Sequence, residues 1–208
     1  MENMEEKITT GYGSGGTNRQ ILKNILPLDT PLAVDIFPIH ACNFKCKFCV
    51  CSLDNDKQGF DFDTNVMSMN LFRKCIDEIK GFPKKIKMLR FVGVGEPLLH
   101  KDIVQMVKYA KGAEISEKME IITNGSLLTK EISDGLIESG LSQIRISIEA
   151  LDEDIYEEIT GVKVDFSKLI NKIKNKKILI FVNSRAGAEN IHYELVNNSH
   201  YKNVFIHH

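Results

Sequence analysis

Apolar and polar positions alternate along the chain in two rhythms that follow one another in turn. "LAVDIFPI" (32–39) is a short apolar run of strand length. "MNLFRKCIDEIKG" (69–81) spaces Leu71, Phe72, Cys75, Ile76 and Ile79 as a helical stripe closed by Gly81. "KIKMLRFVGVG" (85–95) predicts a strand ending in glycines, "KDIVQMVKYAKG" (101–112) a helix stopping at Gly112, and "KMEIITNG" (118–125) a strand. "TKEISDGLIESG" predicts a helix begun by Thr129 and ended by Gly140, and "SQIRISIEA" (142–150) a further strand. Helices follow at "DEDIYEEITG" and "FSKLINKIKN", then a strand at "KILIFV", a helix at "AENIHYELV" and a last strand at "KNVFIHH".

Strands that alternate with helices of this length need right-handed crossovers, and so a largely parallel α/β sheet covered by helices. An open doubly wound sheet and a barrel both satisfy the pattern. In either, ligands gather at the carboxyl ends of the strands. The polar clusters fall there: cysteines after the first strand, "GVGEP" after the second, "TNG" after the third and "SIEA" ending the fourth.

Composition narrows the classes. The 208 residues suffice for one domain with a core, and a net charge of -1 offers no general attraction to nucleic acid or acidic membranes. No apolar run reaches the about 18 residues of a membrane-spanning helix, and the acidic start lacks the order of a signal peptide, so a cytoplasmic protein is expected. Residues 1–27, with "GYGSGGTN", are expected to be a flexible amino-terminal segment. These glycines follow no strand and precede no Gly-Lys-Ser/Thr, which argues against a phosphate loop.

The cysteines change the picture most. Cys42, Cys46 and Cys49 form a C-x3-C-x2-C pattern on a loop, with Cys51 two residues on and Cys75 on the apolar stripe of its helix, where free cysteine packs as a small hydrophobe. Five is an odd number, and such clustering points to metal or thiol chemistry instead of a disulfide framework. A structural zinc wants four protein ligands, commonly in two pairs. Cys51 or His40 would have to complete such a site. An iron–sulfur cube held by three cysteines instead leaves one iron with a position open to a small molecule. Both readings stand on the residues alone.

"CNFKCKFC" resembles the cluster motif of the radical S-adenosylmethionine (radical SAM) enzymes, and "GEP", "ITNG", "ISIEA" and "YEEITG" continue the resemblance in register over roughly Leu28 to Ile173. The resemblance implies a partial (β/α) TIM-like barrel of about six parallel strands with outer helices. It implies a [4Fe–4S] cluster held by Cys42, Cys46 and Cys49, and S-adenosylmethionine (SAM) on the remaining iron. An external flavodoxin- or ferredoxin-like donor would supply the electron that cleaves SAM to a 5′-deoxyadenosyl radical, which takes hydrogen from a substrate, either a small molecule or a peptide. Phe48 matches the aromatic beside the adenine, against a plain packing role. Gly95, Glu96 and Pro97 match the loop that meets the methionine amino group, though Val94 separates Gly95 from Gly93 where the family has adjacent glycines. Thr123 and Asn124 match the third strand's end, where a simple turn competes, and Ser147 matches a hydroxyl that reaches SAM. Arg145 and Glu149 share its face by the two-residue period. No residue is singled out as catalytic.

Many relatives with "LPLDTPLAVDI" and "GEPLLHKDI" continue into a cysteine-rich domain, the SPASM type, but no cysteine follows Cys75. The expected domains are therefore a barrel at 28–174 and a strand–helix–strand tail at 175–208, which completes the barrel or belongs to a fused domain. "KKILIFVNSRAGAENIHYEL" also weakly resembles a segment of superfamily 2 helicases, without their ATP-binding motifs. The substrate-enclosing part is then either missing, which would make the chain an inactive truncated radical SAM fragment, or supplied by a partner chain.

Overall fold

The computed structural model describes residues 26–53, 66–150, 152–165 and the backbone of 178–182, together with Lys23. Five strands form one sheet in the order β1-β2-β3-β4-β5: Ala33–Ile36, Ile86–Phe91, Ser116–Thr123, Gln143–Ile148 and Ile178–Val182. Every pairing is parallel, with Ala33 opposite Met88, Phe91 opposite Ile121, Ile121 opposite Ile144, and Ile144 opposite Ile178. Helices α1 (Met69–Ile79), α2 (Ile103–Gly112), α3 (Lys130–Glu138) and α4 (Glu153–Thr160) follow the first four strands, apart from the cysteine loop that precedes α1.

Local chemistry explains the helix limits. Ser68, Thr129 and Asp152 each accept a side-chain hydrogen bond from a backbone N–H of the first turn, at Leu71, Ile132 and Ile155. Such caps satisfy donors that have no partner inside the helix. Gly161 closes α4 in the left-handed region, at φ 69°.

The strand period of two divides the sheet. Leu89, Phe91, Met119, Ile121, Ile144, Ile146 and Ile148 are buried on one face with Phe72 and Ile76 of α1, Met106 and Val107 of α2, and Leu136 of α3. Burying each such side chain contributes roughly 1.5–3 kcal/mol. Within α1 the stripe is narrower than expected: Phe72 and Ile76 carry the packing, Leu71 is exposed and Cys75 half-buried. The other face is polar. Asp35, Arg90, Glu120 and Gln143 lie opposite one another across β1 to β4. Arg145 Nη2 stands 2.8 Å from Glu120 Oε1, and Arg90 Nη1 3.1 Å from Asp35 Oδ1.

A strand order that never reverses, with the apolar face toward the helices and the charged face away from them, is the arrangement of a barrel segment. A doubly wound sheet reverses its order and carries helices on both faces. The partial TIM-like barrel therefore holds, with five parallel strands among the described residues. The expected helices at 166–175 and 188–196 and the sixth strand at 202–208 lie outside the described residues, as do residues 1–22. No helix among the described residues is long and apolar enough to cross a membrane.

Candidate cofactor site at the strand ends

The cysteine loop leaves β1 and is held at its start by the β2 end. Glu96 N–H donates to Ala41 O at 2.9 Å. Gly95 makes this contact possible: at φ 123° it sits so close that an added Cβ would lie 2.2 Å from Ile39 O. Its glycine thus serves loop-on-loop packing, a requirement that no local pattern in the sequence announces. Gly93, also at positive φ, lies against the ring of Phe37.

Glu96 is 2% exposed, and its carboxylate ties two strand ends together. Thr123 Oγ1–H donates to Oε1 at 2.6 Å, Asn124 N–H to Oε2 at 2.8 Å, and Leu98 N–H to Oε1 at 2.9 Å. Burial raises its carboxyl above the usual range, with these three donors acting in the opposite direction. Pro97 is buried and opens the short 3-10 turn Pro97–Leu99, which Glu96 caps.

At the β3 end Asn124 sits in a turn. Its Oδ1 accepts from Ser126 N–H at 2.9 Å and from the Ser126 hydroxyl at 2.7 Å, with Gly125 at φ 75°, so "NGS" is indeed a side-chain-supported turn. Its Nδ2 donates to Asn43 Oδ1 at 3.0 Å, and Asn43 Nδ2 donates to Ser126 Oγ at 2.8 Å. Asn43 lies between the first two cysteines and was missed in the sequence, because its partners lie some eighty positions away. Thr123 is buried, and its hydroxyl also accepts from Gly125 N–H at 3.0 Å.

All five cysteines are free thiols and half-buried. Cys42 and Cys46 pack against the core, Phe44 N–H donates to Cys42 Sγ at 3.4 Å, and Cys49 N–H donates to Cys46 O at 2.9 Å. Burial pushes the Cys42 thiol up, and Glu96 and Cys49 add to the rise. Cys46 is pushed up to about 11 by burial, then by Glu149, Cys42 and Cys49. Cys51 rises to about 12 by burial, then by Cys49, and its Sγ–H donates weakly to His40 O at 3.9 Å.

Among the described residues, no three or more His, Cys, Asp or Glu side chains form a group that could hold a single metal ion. In an iron–sulfur cube each thiolate binds a different iron, so its ligands need not converge on one point. The half-buried thiols of this loop, Cys51 among them, are soft donors of the kind such a cube takes, whereas a tetrahedral zinc needs four ligands that converge.

Phe48, beside Cys49, is 67% exposed. Ser147 and Arg145 are half-buried on the polar face of β4. Glu149 is half-buried just beyond β4, with its carboxyl raised by burial. Burial raises the buried Tyr156 phenol and the Cys46 thiol, and the charge of Glu149 adds to both. Cysteines, GEP loop, TNG turn and the β4 end thus share one end of the sheet.

Residues 36–183 match the Radical SAM superfamily, and the chain belongs to that superfamily of enzymes. A probable GTP 3′,8-cyclase of Sulfolobus acidocaldarius is 32% identical over 172 residues, covering 79% of this chain and 51% of the relative. The PqqA peptide cyclase of Bradyrhizobium diazoefficiens is 27% identical, covering 78% of this chain and 41% of its own. Streptococcus suis SuiB, solved with S-adenosylmethionine, superposes with a TM-score of 0.63 at 26% identity, covering 85% of this chain and 39% of SuiB. The chain spans about half the length, or less, of these relatives.

Proposed function

We propose that the chain is the cofactor-bearing part of a radical SAM enzyme, with Cys42, Cys46 and Cys49 as the three protein ligands of a [4Fe–4S] cluster. The observation that carries this reading is the convergence of the three-thiol loop with the ends of β2, β3 and β4 on one edge of the barrel segment. When bound, cluster and SAM would supply a low-potential electron and a reducible sulfonium, the source of a 5′-deoxyadenosyl radical.

The protein's own residues bind, orient and shelter. Phe48 offers an exposed ring face, suited to an adenine. The loop Gly95–Glu96–Pro97 meets the methionine amino group through its backbone, because the Glu96 carboxylate is engaged with Thr123, Asn124 and Leu98. Glu96, Thr123 and Asn124 act as positioning residues that hold this rim, and Ser147 reaches the cofactor from β4. Cys51 stays outside the ligand set as a half-buried neighbour.

The substrate is proposed to be a peptide or small molecule entering over the polar face of the sheet. A peptide is favoured by the likeness to SuiB solved with its precursor peptide SuiA, at 27% identity and a TM-score of 0.62. Further chain, continuous or from a partner, encloses that substrate, and a flavodoxin- or ferredoxin-like protein donates the electron. The segment from 178 is read as continuing the barrel and not as part of a motor domain, since β5 pairs with β4.

Anaerobic reconstitution with iron and sulfide tests the ligand set. About four irons per chain are expected, with an electron paramagnetic resonance signal after reduction that shifts when SAM is added. Replacing the three cysteines by alanine should abolish both. Tightly held zinc near one equivalent, with no iron uptake, would refute the proposal in favour of a zinc module.

A further inference from the structure

The "YEEITG" segment, so far without a role, ends α4 against the cysteine loop. The last carbonyls of a helix have no partner inside it and need donors from elsewhere. Here the cysteine loop supplies them. Lys45 N–H donates to Thr160 O at 2.9 Å, and Lys47 N–H donates to Ile159 O at 2.8 Å. The two bonds bracket a single residue, Cys46.

Side-chain packing agrees with the backbone. Phe44 and Tyr156, both buried, meet edge-on with centroids 6.3 Å apart. Thr160 is fully buried, and its hydroxyl donates to Tyr156 O at 2.8 Å. Along the loop Phe44 is buried, Lys45 exposed, Cys46 half-buried and Lys47 exposed, the alternation of an extended segment lying on a support. Gly161, at φ 69°, brings the chain past Lys45, where an added Cβ would lie 3.4 Å from Lys45 Cβ.

We infer that the carboxyl-terminal turn of α4 is a clamp that presets the position of Cys46 before any cofactor binds. This rests on the reading of Cys46 as a cluster ligand. Cys42 is held mainly by the Ala41–Glu96 bond and by Asn43, and meets the clamp only through Phe44 N–H at 3.4 Å from its Sγ, while Cys49 is tied through a local turn to Cys46 O. Cys46 and Cys49 therefore depend on the clamp most directly. Thr160, Gly161, Phe44 and Tyr156 are its positioning residues.

Hydrogen exchange in the iron-free chain reads the clamp directly. The amides of Lys45 and Lys47 should be protected in the wild type. Gly161→Val, which forces a branched residue into the left-handed region, should speed both by about tenfold or more while β2 and β3 amides keep their rates. Iron uptake should fall at least about twofold in the same variant. Gly140→Val, at the equivalent left-handed turn after α3 (φ 84°) but facing Lys111, should change neither. Unprotected Lys45 and Lys47 amides in the wild type would overturn the clamp, with no variant needed. So would a Gly161→Val chain with unaltered exchange, or equal losses in Gly140→Val. A wild type with both amides protected but no iron uptake would refute the cluster reading and leave the clamp standing.

Discussion

The Thr123 hydroxyl donates to the buried Glu96 carboxylate at 2.6 Å, joining the end of β3 to the end of β2 across 27 residues of chain. Asn124 N–H completes the link on the second carboxylate oxygen. A residue expected to face the cofactor is thus, first, a brace between two loops of the rim. Its energetics set burial of a charge against three donors, and the direction of its shift says that burial prevails.

Glu96→Gln exposes that balance. The amide nitrogen cannot accept from Asn124 N–H, so a loss of about 1–3 kcal/mol is expected. The pH dependence carries the sign. With its folded pKa above the ordinary value of 4.5, Glu96 binds its proton more tightly when folded, so its contribution to stability is fully present below that value and is lost as pH rises through the folded pKa. The deficit of Glu96→Gln relative to wild type, from denaturant unfolding, should be largest in acid and shrink upward from about pH 4.5. A deficit that grows with pH would mean that the three donors outweigh burial.

Gly95 and Gly93 should respond unequally to alanine. At Gly95 the new Cβ meets the Ile39 carbonyl, part of the backbone that starts the cysteine loop. At Gly93 it meets the ring of Phe37, which is 40% exposed and can swing away. Gly95→Ala should cost about 3 kcal/mol or more in urea unfolding, and Gly93→Ala clearly less. Equal costs would remove the argument from backbone contact.

Phe48→Ala separates binding from folding. An exposed ring contributes little to stability, so the unfolding free energy should move by no more than about 0.5 kcal/mol. SAM affinity of the cluster-loaded protein should fall several-fold, by calorimetry. A large loss of stability would return Phe48 to a packing role.

Glu120 anchors the polar face through Arg145, with Arg90 Nε at 3.7 Å from its second oxygen and Gln143 also donating to it. Its side chain is fully buried. Removing one member strands the others, so Glu120→Ala should cost about 3–5 kcal/mol in denaturant unfolding. A cost below about 1 kcal/mol would mean that the charges on this face are solvated.

The alternating rhythm made the β/α order legible, because the runs in β2 to β4, and Phe72 and Ile76 of the α1 stripe, are buried as it predicts. Gly140 and Thr129 marked the ends of α3 by local chemistry that needs no neighbours. Leu71 fits the α1 stripe on paper but faces solvent, since only the arc through Phe72 and Ile76 meets the sheet. The cysteine triad was visible as spacing, whereas the partners that hold it were not. Asn43 with Asn124, Glu96 with Thr123 and Lys45 with Thr160 meet only once strand register has brought distant loops together. Glu149 could be assigned to a face by period, but its influence on Cys46 depends on the path of the chain after β4.

The central claim is tested most directly by incubating the anaerobically reconstituted protein with dithionite and SAM and measuring 5′-deoxyadenosine by chromatography. Formation of that product, lost when Cys42, Cys46 and Cys49 are replaced together, is the predicted result. A fully loaded cluster that leaves SAM intact would contradict it.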